Sequence, residues 1–273
     1  MNWWKAIVLG LVQGLTEFLP VSSSGHLVIA QSLLGVTDGE SMMFFFVMLH
    51  FATAVAVVVG LWKAFTSLFT REGCGNLLLL VIASVPAAIA GLLFEDKIEA
   101  LMGGGIAWLW IFLLVTAALL LTTELIAKRR ERRMITLADG QTEGTNRLKW
   151  WQALIMGGAQ AVAIFPGISR SGSTICAGML ARGDKAKVAD FSFLMSLPVI
   201  GGAALLELID VIQAGAFAGV NWLCVVLGML AAFGSGLLAI KLMLALIKRI
   251  NYKYFSLYLV ILSIVLMIVQ FAV

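Results

Sequence analysis

Residues 13–26 read QGLTEFLPVSSSGH and interrupt an apolar run with an amide, a carboxylate, three serines and a histidine. Keeping ionisable side chains among apolar neighbours is costly, so such residues are read by default as functional. Pro20 and the serines also prevent a single helix from running through the stretch. The stretch therefore predicts a polar site at a helix break, inside an otherwise apolar protein.

The rest of the chain has the composition of a membrane protein. Hydrophobic residues make up 61% of its 273 residues, charged residues 12%, and the mean hydropathy is +1.02. Several apolar runs approach the roughly 20 residues that a helix needs to cross a bilayer. The net charge of +4 lies in a few clusters, without a basic surface interleaved with aromatic residues. We therefore expect an all-α, polytopic protein whose partner is the bilayer and not a nucleic acid.

Two short hairpins are predicted to enter the membrane and return on the same side. The first covers residues 3–35, because the apolar piece that follows the serines, 27–34, is too short to cross. The second covers residues 150–181 and breaks at PGISRSGST. Such re-entrant backbone is tolerated where it is buried in protein or lines a polar cavity. Six full spans are predicted besides the hairpins, at residues 41–62, 77–94, 105–127, 191–207, 222–246 and 254–273.

The two halves resemble each other when the chain is shifted by 147 positions. Nine of 23 positions are then identical without a gap. The identical residues are Trp3, Trp4, Ala6, Gly10, Gln13, Phe18, Ser22, Ser24 and Gly25 in the first half. We expect one membrane domain, 1–273, that consists of repeat one (1–127), a linker (128–149) and repeat two (150–273).

Loop charges orient the chain. The linker contains KRRERR and should be cytoplasmic by the positive-inside tendency. Counting spans from it places the first hairpin and both termini outside and opens the second hairpin from the cytoplasm. The repeats are then inverted, and inverted repeats with broken helices place their site near the midplane.

Gln13 and Glu17 are four residues apart and share one face of a helix. A carboxylate and an amide on one face can hold a divalent cation or orient a water. The alternative is a buried polar pair that bonds to a neighbouring helix. The adjoining SSSGH favours the functional interpretation.

Ser22, Ser23, Ser24 and Gly25 precede a helical piece, whose N-terminal amides and dipole favour an anion. The alternative is that the serines only cap a helix after a proline. His26 beside a buried carboxylate and a serine completes a set suited to nucleophile activation or leaving-group protonation.

The second break carries Arg170, whose guanidinium suits phosphate oxygens. The flanking candidates for phosphate binding are Ser169, Ser171, Gly172, Ser173 and Thr174. Arg170 could instead pair structurally with Glu17, but this alternative is less favoured because the hydroxyl cluster would then lack a role.

At the 147-residue shift Glu17, Ser23 and His26 fall on Ile164, Arg170 and Ser173. One half keeps the acid–base groups and the other half the cation, a division that an enzyme requires and a symmetric carrier does not. A second histidine, His50, lies in an apolar span and is interpreted as a satisfied buried residue.

QGLTE with FLPVSSSGH, and PGISRSGST, resemble the motifs of the undecaprenyl-diphosphate phosphatase family, the bacitracin-resistance proteins. That family carries a Glu or Gln separated by three residues from a Glu, and a PGxSRSxxT element. The resemblance spans nearly the whole chain, and Gln13 is the variant at the first position.

The resemblance implies removal of the terminal phosphate from undecaprenyl diphosphate in the bacterial inner membrane, which recycles the lipid carrier of cell-wall synthesis. It implies Glu17, Ser23, His26 and Arg170 as the site, with a divalent cation, Mg²⁺ or Ca²⁺, near Gln13 and Glu17. Two choices stay open: a serine nucleophile or direct attack by water, and a monomer or a homodimer. The rival interpretation is a transporter or flippase of a polyprenyl phosphate lipid, since inverted repeats with broken helices are a transporter design.

Overall fold

The computed structural model describes residues 1–36, 40–71, 73–103, 107–136, 148–213, 220–246 and 251–272. Within these ranges the regular structure is α-helical. The helices are α1 (Trp3–Glu17), α2 (Ser23–Leu33), α3 (Glu40–Gly60), α4 (Trp62–Ser67), α5 (Cys74–Gly103), α6 (Leu109–Thr136), α7 (Trp150–Val162), α8 (Arg170–Leu180), α9 (Lys185–Leu194), α10 (Ser196–Gln213), α11 (Trp222–Leu246) and α12 (Tyr252–Ala272).

Six described stretches are long and apolar enough to cross a bilayer. They are Met42–Gly60, Cys74–Phe94, Leu109–Arg130, Lys185–Leu206, Trp222–Ala245 and Tyr252–Phe271. Each coincides with one of the six predicted spans. The prediction of an all-α, multi-pass membrane protein is confirmed.

The boundaries of several elements differ from the predictions. Helix α6 continues through KRRERR to Thr136, because Lys, Arg and Glu are good helix formers, so the predicted linker begins as helix. Residues 137–147 of that linker lie outside the described ranges.

The predicted span 191–207 lies on two helices, α9 and α10. Pro198 lies in the first turn of α10. Because it has no N–H, the helical hydrogen bonding of α9 cannot continue through it. Helix α4 was not predicted.

The four helices around the two breaks are short. Helix α1 has 15 residues and α7 has 13. At 1.5 Å per residue, 15 residues span about 22 Å, less than the roughly 30 Å of a hydrocarbon core. Helices α2 and α8 begin at Ser23 and Arg170, earlier than the apolar patterns indicate. The motif residues after each break therefore lie in the first turn of a helix.

The two halves are interleaved. Helix α1 packs against α11, α7 packs against α5, and α6 packs against α12. Small residues allow the backbones to approach closely, as membrane helices require. A Cβ at Gly10 would clash with the carbonyl oxygen of Gly228, and one at Gly14 with that of Ala232. These crossings bring the break of one half against the break of the other.

The contact between α7 and α5 gives a direct test of this packing. A Cβ at Gly157 would lie 2.5 Å from the carbonyl oxygen of Ala83. We expect Gly157→Ala to destabilise the protein by about 1–3 kcal/mol through overpacking. The measurement is thermal unfolding of purified protein in one detergent.

The neighbouring Gly158 supplies the control, because a Cβ there meets nothing within 4 Å. Gly158→Ala should leave the stability unchanged or raise it by up to about 1 kcal/mol, the helix propensity difference. Equal stability of the two variants would contradict the packing described.

Candidate active site

The centre of the site is the carboxylate of Glu17, which is 6% exposed at the C-terminal end of α1. Its Oε1 accepts a hydrogen bond from Nη2 of Arg170. Its Oε2 accepts one from Oγ of Ser23 at 2.5 Å and one from Nε2 of Gln13 at 2.9 Å. The structure thus brings together four predicted site residues, three from the first half and one from the second.

Two breaks in the helices position these groups. After α1 the ring of Phe18 is fully buried and meets the edge of Phe193, with centroids 5.4 Å apart. In the second break Gly167 has φ +94°, and a Cβ there would lie 2.7 Å from Cβ of Phe112. Glycine is the residue that tolerates both this backbone conformation and this contact. Both breaks are thereby held inside the protein.

Hydroxyl groups tie the two breaks together. Ser171 Oγ donates to the carbonyl of Leu19 at 2.9 Å, and the N–H of Gly167 donates to Ser24 Oγ at 3.4 Å. Thr116 of α6 accepts from the N–H of Ser169 at 3.1 Å. Buried backbone and hydroxyl groups need such partners in an apolar protein.

The ion pair of Arg170 with Glu17 is the alternative that the sequence analysis favoured less. In this pairing the hydroxyl cluster still has a role. Ser171 bonds across to the first break, as Ser24 does to the second, and the two charges meet next to these contacts. The guanidinium has five N–H donors, of which one bonds to Glu17 and another lies 3.4 Å from the carbonyl oxygen of Ser192. Pairing with Glu17 therefore leaves donors for a second anion.

Two of the serines cap helices, as the structural alternative proposed. Ser22 Oγ accepts from the N–H of Gly25 at 3.3 Å, and Ser169 Oγ accepts from the N–H of Gly172 at 3.1 Å. Ser22 has φ +69°, a left-handed conformation that non-glycine residues rarely adopt. Strain of this kind persists where surrounding contacts enforce it, often at functional sites.

The last two candidates of the second break have other neighbours. Thr174 Oγ1 lies 2.6 Å from Ser192 Oγ and donates to the carbonyl of Arg170 at 2.8 Å. It thereby braces the first turn of α8. Ser173 lines a cavity of about 500 Å³ together with apolar side chains and Arg182. The predicted phosphate-binding role of these residues stays a prediction.

His26 shares the first turn of α2 with Ser23, but the contacts of its two ring nitrogens are to groups other than Glu17, and its predicted catalytic role stays a prediction. Its Nδ1 lies 2.8 Å from the carbonyl oxygen of Ser22, and its Nε2 lies 2.6 Å from the hydroxyl of Tyr258. A carbonyl oxygen only accepts, so Nδ1 carries a proton, and in the neutral ring Nε2 accepts from Tyr258. Tyr258 was not among the predicted site residues, and its signal in the sequence is a phenol within an apolar span.

His50 was interpreted as a satisfied buried residue, and this was incomplete. Its Nδ1 is satisfied by the carbonyl of Phe46 at 2.8 Å. Its Nε2, however, lies 3.9 Å from Oε2 of Glu17. The signal that was available is a lone ionisable side chain in an apolar span, which usually marks function.

The predicted cation site does not fit the residues as they are placed. The Gln13 Oε1 atom is buried without a partner and is a possible ligand. Both oxygens of Glu17, however, already accept hydrogen bonds, one of them from a guanidinium. In the described ranges no group of three or more His, Cys, Asp or Glu side chains is suited to a metal. Mg²⁺ and Ca²⁺ usually take six or more oxygens.

The arrangement suits transfer of an anionic group to a hydroxyl. Glu17 accepts the hydrogen of Ser23 and is positioned as its base. Arg170 and the N-terminal end of α2 supply positive potential next to the same hydroxyl.

Comparison with known proteins agrees with this chemistry. Residues 6–265 match the family model described as "Bacitracin resistance protein BacA". An undecaprenyl-diphosphatase of Bacteroides fragilis is 41% identical over 99% of each chain. The undecaprenyl-diphosphatase of Parabacteroides distasonis is 40% identical over 94% of each chain. Undecaprenyl-diphosphatase 3 of Bacillus cereus is 37% identical, and the match covers 99% of this chain and 98% of the Bacillus protein. The chain therefore belongs to the bacitracin resistance protein BacA family.

Proposed function

We propose that this protein is a membrane phosphatase that hydrolyses undecaprenyl diphosphate to undecaprenyl phosphate and inorganic phosphate. The product is the lipid carrier of cell-wall synthesis, and its recycling would confer bacitracin resistance. The observation that carries the proposal is the buried contact of a hydroxyl, a carboxylate and a guanidinium at Ser23, Glu17 and Arg170. The names of the similar proteins support the choice of substrate.

In this proposal Ser23 attacks the terminal phosphorus while its proton passes to Glu17. The bond from that phosphorus to the bridging oxygen breaks, and its electron pair leaves with the lipid monophosphate. Water then adds to the phosphorus, the bond from phosphorus to Ser23 Oγ breaks, and Oγ regains the proton while inorganic phosphate leaves with both hydrogens of the water. Water held beside Ser23 is the alternative nucleophile, with Glu17 as base in either case.

Positioning and charge neutralisation dominate phosphoryl transfer. The free donors of Arg170 and the N-terminal end of α2 would hold the non-bridging oxygens of the terminal phosphate. The isoprenoid needs an apolar surface, and the outward faces of the spanning helices carry many exposed large hydrophobic side chains. No step is assigned to a metal, because the donor set at Gln13 and Glu17 does not fit one.

We further propose that the halves are inverted repeats with re-entrant hairpins, in the bacterial inner membrane with both termini external. Several features recur 147 residues apart. The caps Ser22 and Ser169 each accept from a glycine three residues on. Gly35 and Arg182, which follow α2 and α8, have φ +57° and +62°.

Phosphate release from the purified protein is the primary test. Protein in detergent should release inorganic phosphate from undecaprenyl diphosphate. A transporter or flippase instead predicts lipid movement across liposome membranes without phosphate release, and this result would overturn the proposed function.

Arg170→Ala should lower the rate of phosphate release by about 10³-fold, because the transition state loses its guanidinium. Arg170→Lys keeps the charge but loses the planar fork, and it checks that lost activity is not lost folding. Arg129→Ala, at an exposed arginine of α6, is the matched control and should retain wild-type rates. Near-normal release by folded Arg170→Ala would sink the assignment of Arg170.

The orientation is tested by single cysteines at Ser32 and Arg182, exposed residues near the ends of α2 and α8. The background has Cys74, Cys176 and Cys224 replaced by alanine. A membrane-impermeant maleimide should label Ser32→Cys on intact cells and Arg182→Cys only after permeabilisation. Labelling of both from the same side would rule out inverted hairpins.

A further inference from the structure

We infer that His50 is a positioning residue that takes up, through Glu17, the proton that Ser23 releases. This inference rests on the proposed phosphatase activity. His50 Nε2 lies 3.9 Å from Oε2 of Glu17, the oxygen that accepts the Ser23 hydroxyl at 2.5 Å. Glu17 Oε2 thus lies between the hydroxyl and the imidazole in a chain of contacts contributed by α2, α1 and α3.

The backbone of α3 fixes which nitrogen of His50 can take a proton. Nδ1 lies 2.8 Å from the carbonyl oxygen of Phe46, which only accepts, so Nδ1 carries the hydrogen of the neutral ring. Nε2 then holds a lone pair. The proton acceptor of His50 is therefore the nitrogen that faces Glu17.

A lone pair and a carboxylate oxygen 3.9 Å apart repel each other, and a proton between them turns this repulsion into attraction. The distance is too long for a direct hydrogen bond, so a small rotation of the ring or one bridging water completes the path. Glu17 and His50 together can therefore bind one more proton than the Glu17 carboxylate can bind by itself.

The chain has a specific need for such a group. The neighbour of Glu17 on α1 is Gln13, an amide that donates to Glu17 and takes up no proton. Arg170 on the other oxygen favours the ionised carboxylate, so a proton that stayed on Glu17 would weaken this ion pair. Transfer to His50 restores the carboxylate while Ser23 bonds to phosphorus.

The proton balance closes over one turnover. In the first half the O–H bond of Ser23 breaks, an N–H bond forms on His50 Nε2, and the lipid monophosphate leaves with the electron pair of the bridging bond. In the second half water adds to phosphorus, both of its hydrogens leave with inorganic phosphate, and Ser23 regains its proton from His50.

Few other charges face the ring. Glu17 of α1 is the acidic group within 4.0 Å of His50 in the described ranges, and Arg170 of α8 lies on the far oxygen of Glu17. The other described titratable groups on the helices that pack against α3 are Lys5, Lys63, Lys185, Lys187, Asp190, Cys224 and Lys241. Glu17 is therefore the proton donor that the structure places next to His50.

His50→Gln tests the relay, because glutamine keeps a polar side chain but does not titrate near neutral pH. We expect the kcat of phosphate release to fall about 10²-fold, within the usual range for general acid–base groups, with little change in KM. The acidic limb of the kcat profile should also differ from that of the wild type, because the substitution removes a proton-accepting group from the site.

Met43→Gln is the matched control, an exposed position two turns earlier on α3. It should leave kcat and the pH profile unchanged. A His50→Gln variant with wild-type kcat and acidic limb would overturn the inference. A wild-type protein that releases no phosphate would instead overturn the proposed function itself.

His50→Ala decides the case if His50→Gln does not purify as folded protein. Its smaller side chain leaves space, and the His50 side chain is 29% exposed, so added imidazole can reach the position. Recovery of kcat by imidazole, but not by pyrrole, supports the relay. Folded His50→Ala that imidazole does not reactivate contradicts it.

Discussion

The structure depends on one ion pair, between Glu17 and Arg170, each of which begins or ends a helix inside the protein. Two charges removed from water are stable only as a close pair with their remaining hydrogen-bonding groups satisfied. Ser23 and Gln13 donate hydrogen bonds to the carboxylate, and the carbonyl oxygen of Ser192 lies near the guanidinium. Because the partners come from opposite halves, this requirement also fixes how the halves are placed.

The same constraint explains why two polar breaks occur in such an apolar chain. Backbone freed by the breaks needs partners, and each break supplies them to the other through Ser24, Gly167 and Ser171. A break without its counterpart would leave buried donors and acceptors unpaired. The arrangement that satisfies the backbone is also the one that places a hydroxyl and a cation side by side, as a phosphatase would require.

The sequence was sufficient for the parts that local pattern determines. The six spans, both breaks and the residues of the carboxylate cluster follow from apolar run length, from proline and serine positions and from the motifs. It failed where a contact depends on packing between distant helices. His26 is only three residues from Ser23 in sequence but bonds to Tyr258 of α12, whereas His50 of α3 faces Glu17. The break between α9 and α10 was missed because the span was predicted from apolar run length alone, without regard to Pro198.

The interleaving of the halves also constrains how the chain is made. Helix α1 is synthesised well before its packing partner α11, which begins only at Trp222. Domains usually fold as they emerge, from the N-terminus onward, but here α1 has to wait for its partner while most of the chain is made. Its Glu17 then lacks Arg170 during that interval. The late steps of biogenesis, when α8 and α11 arrive, are therefore the point at which the buried charge is first neutralised.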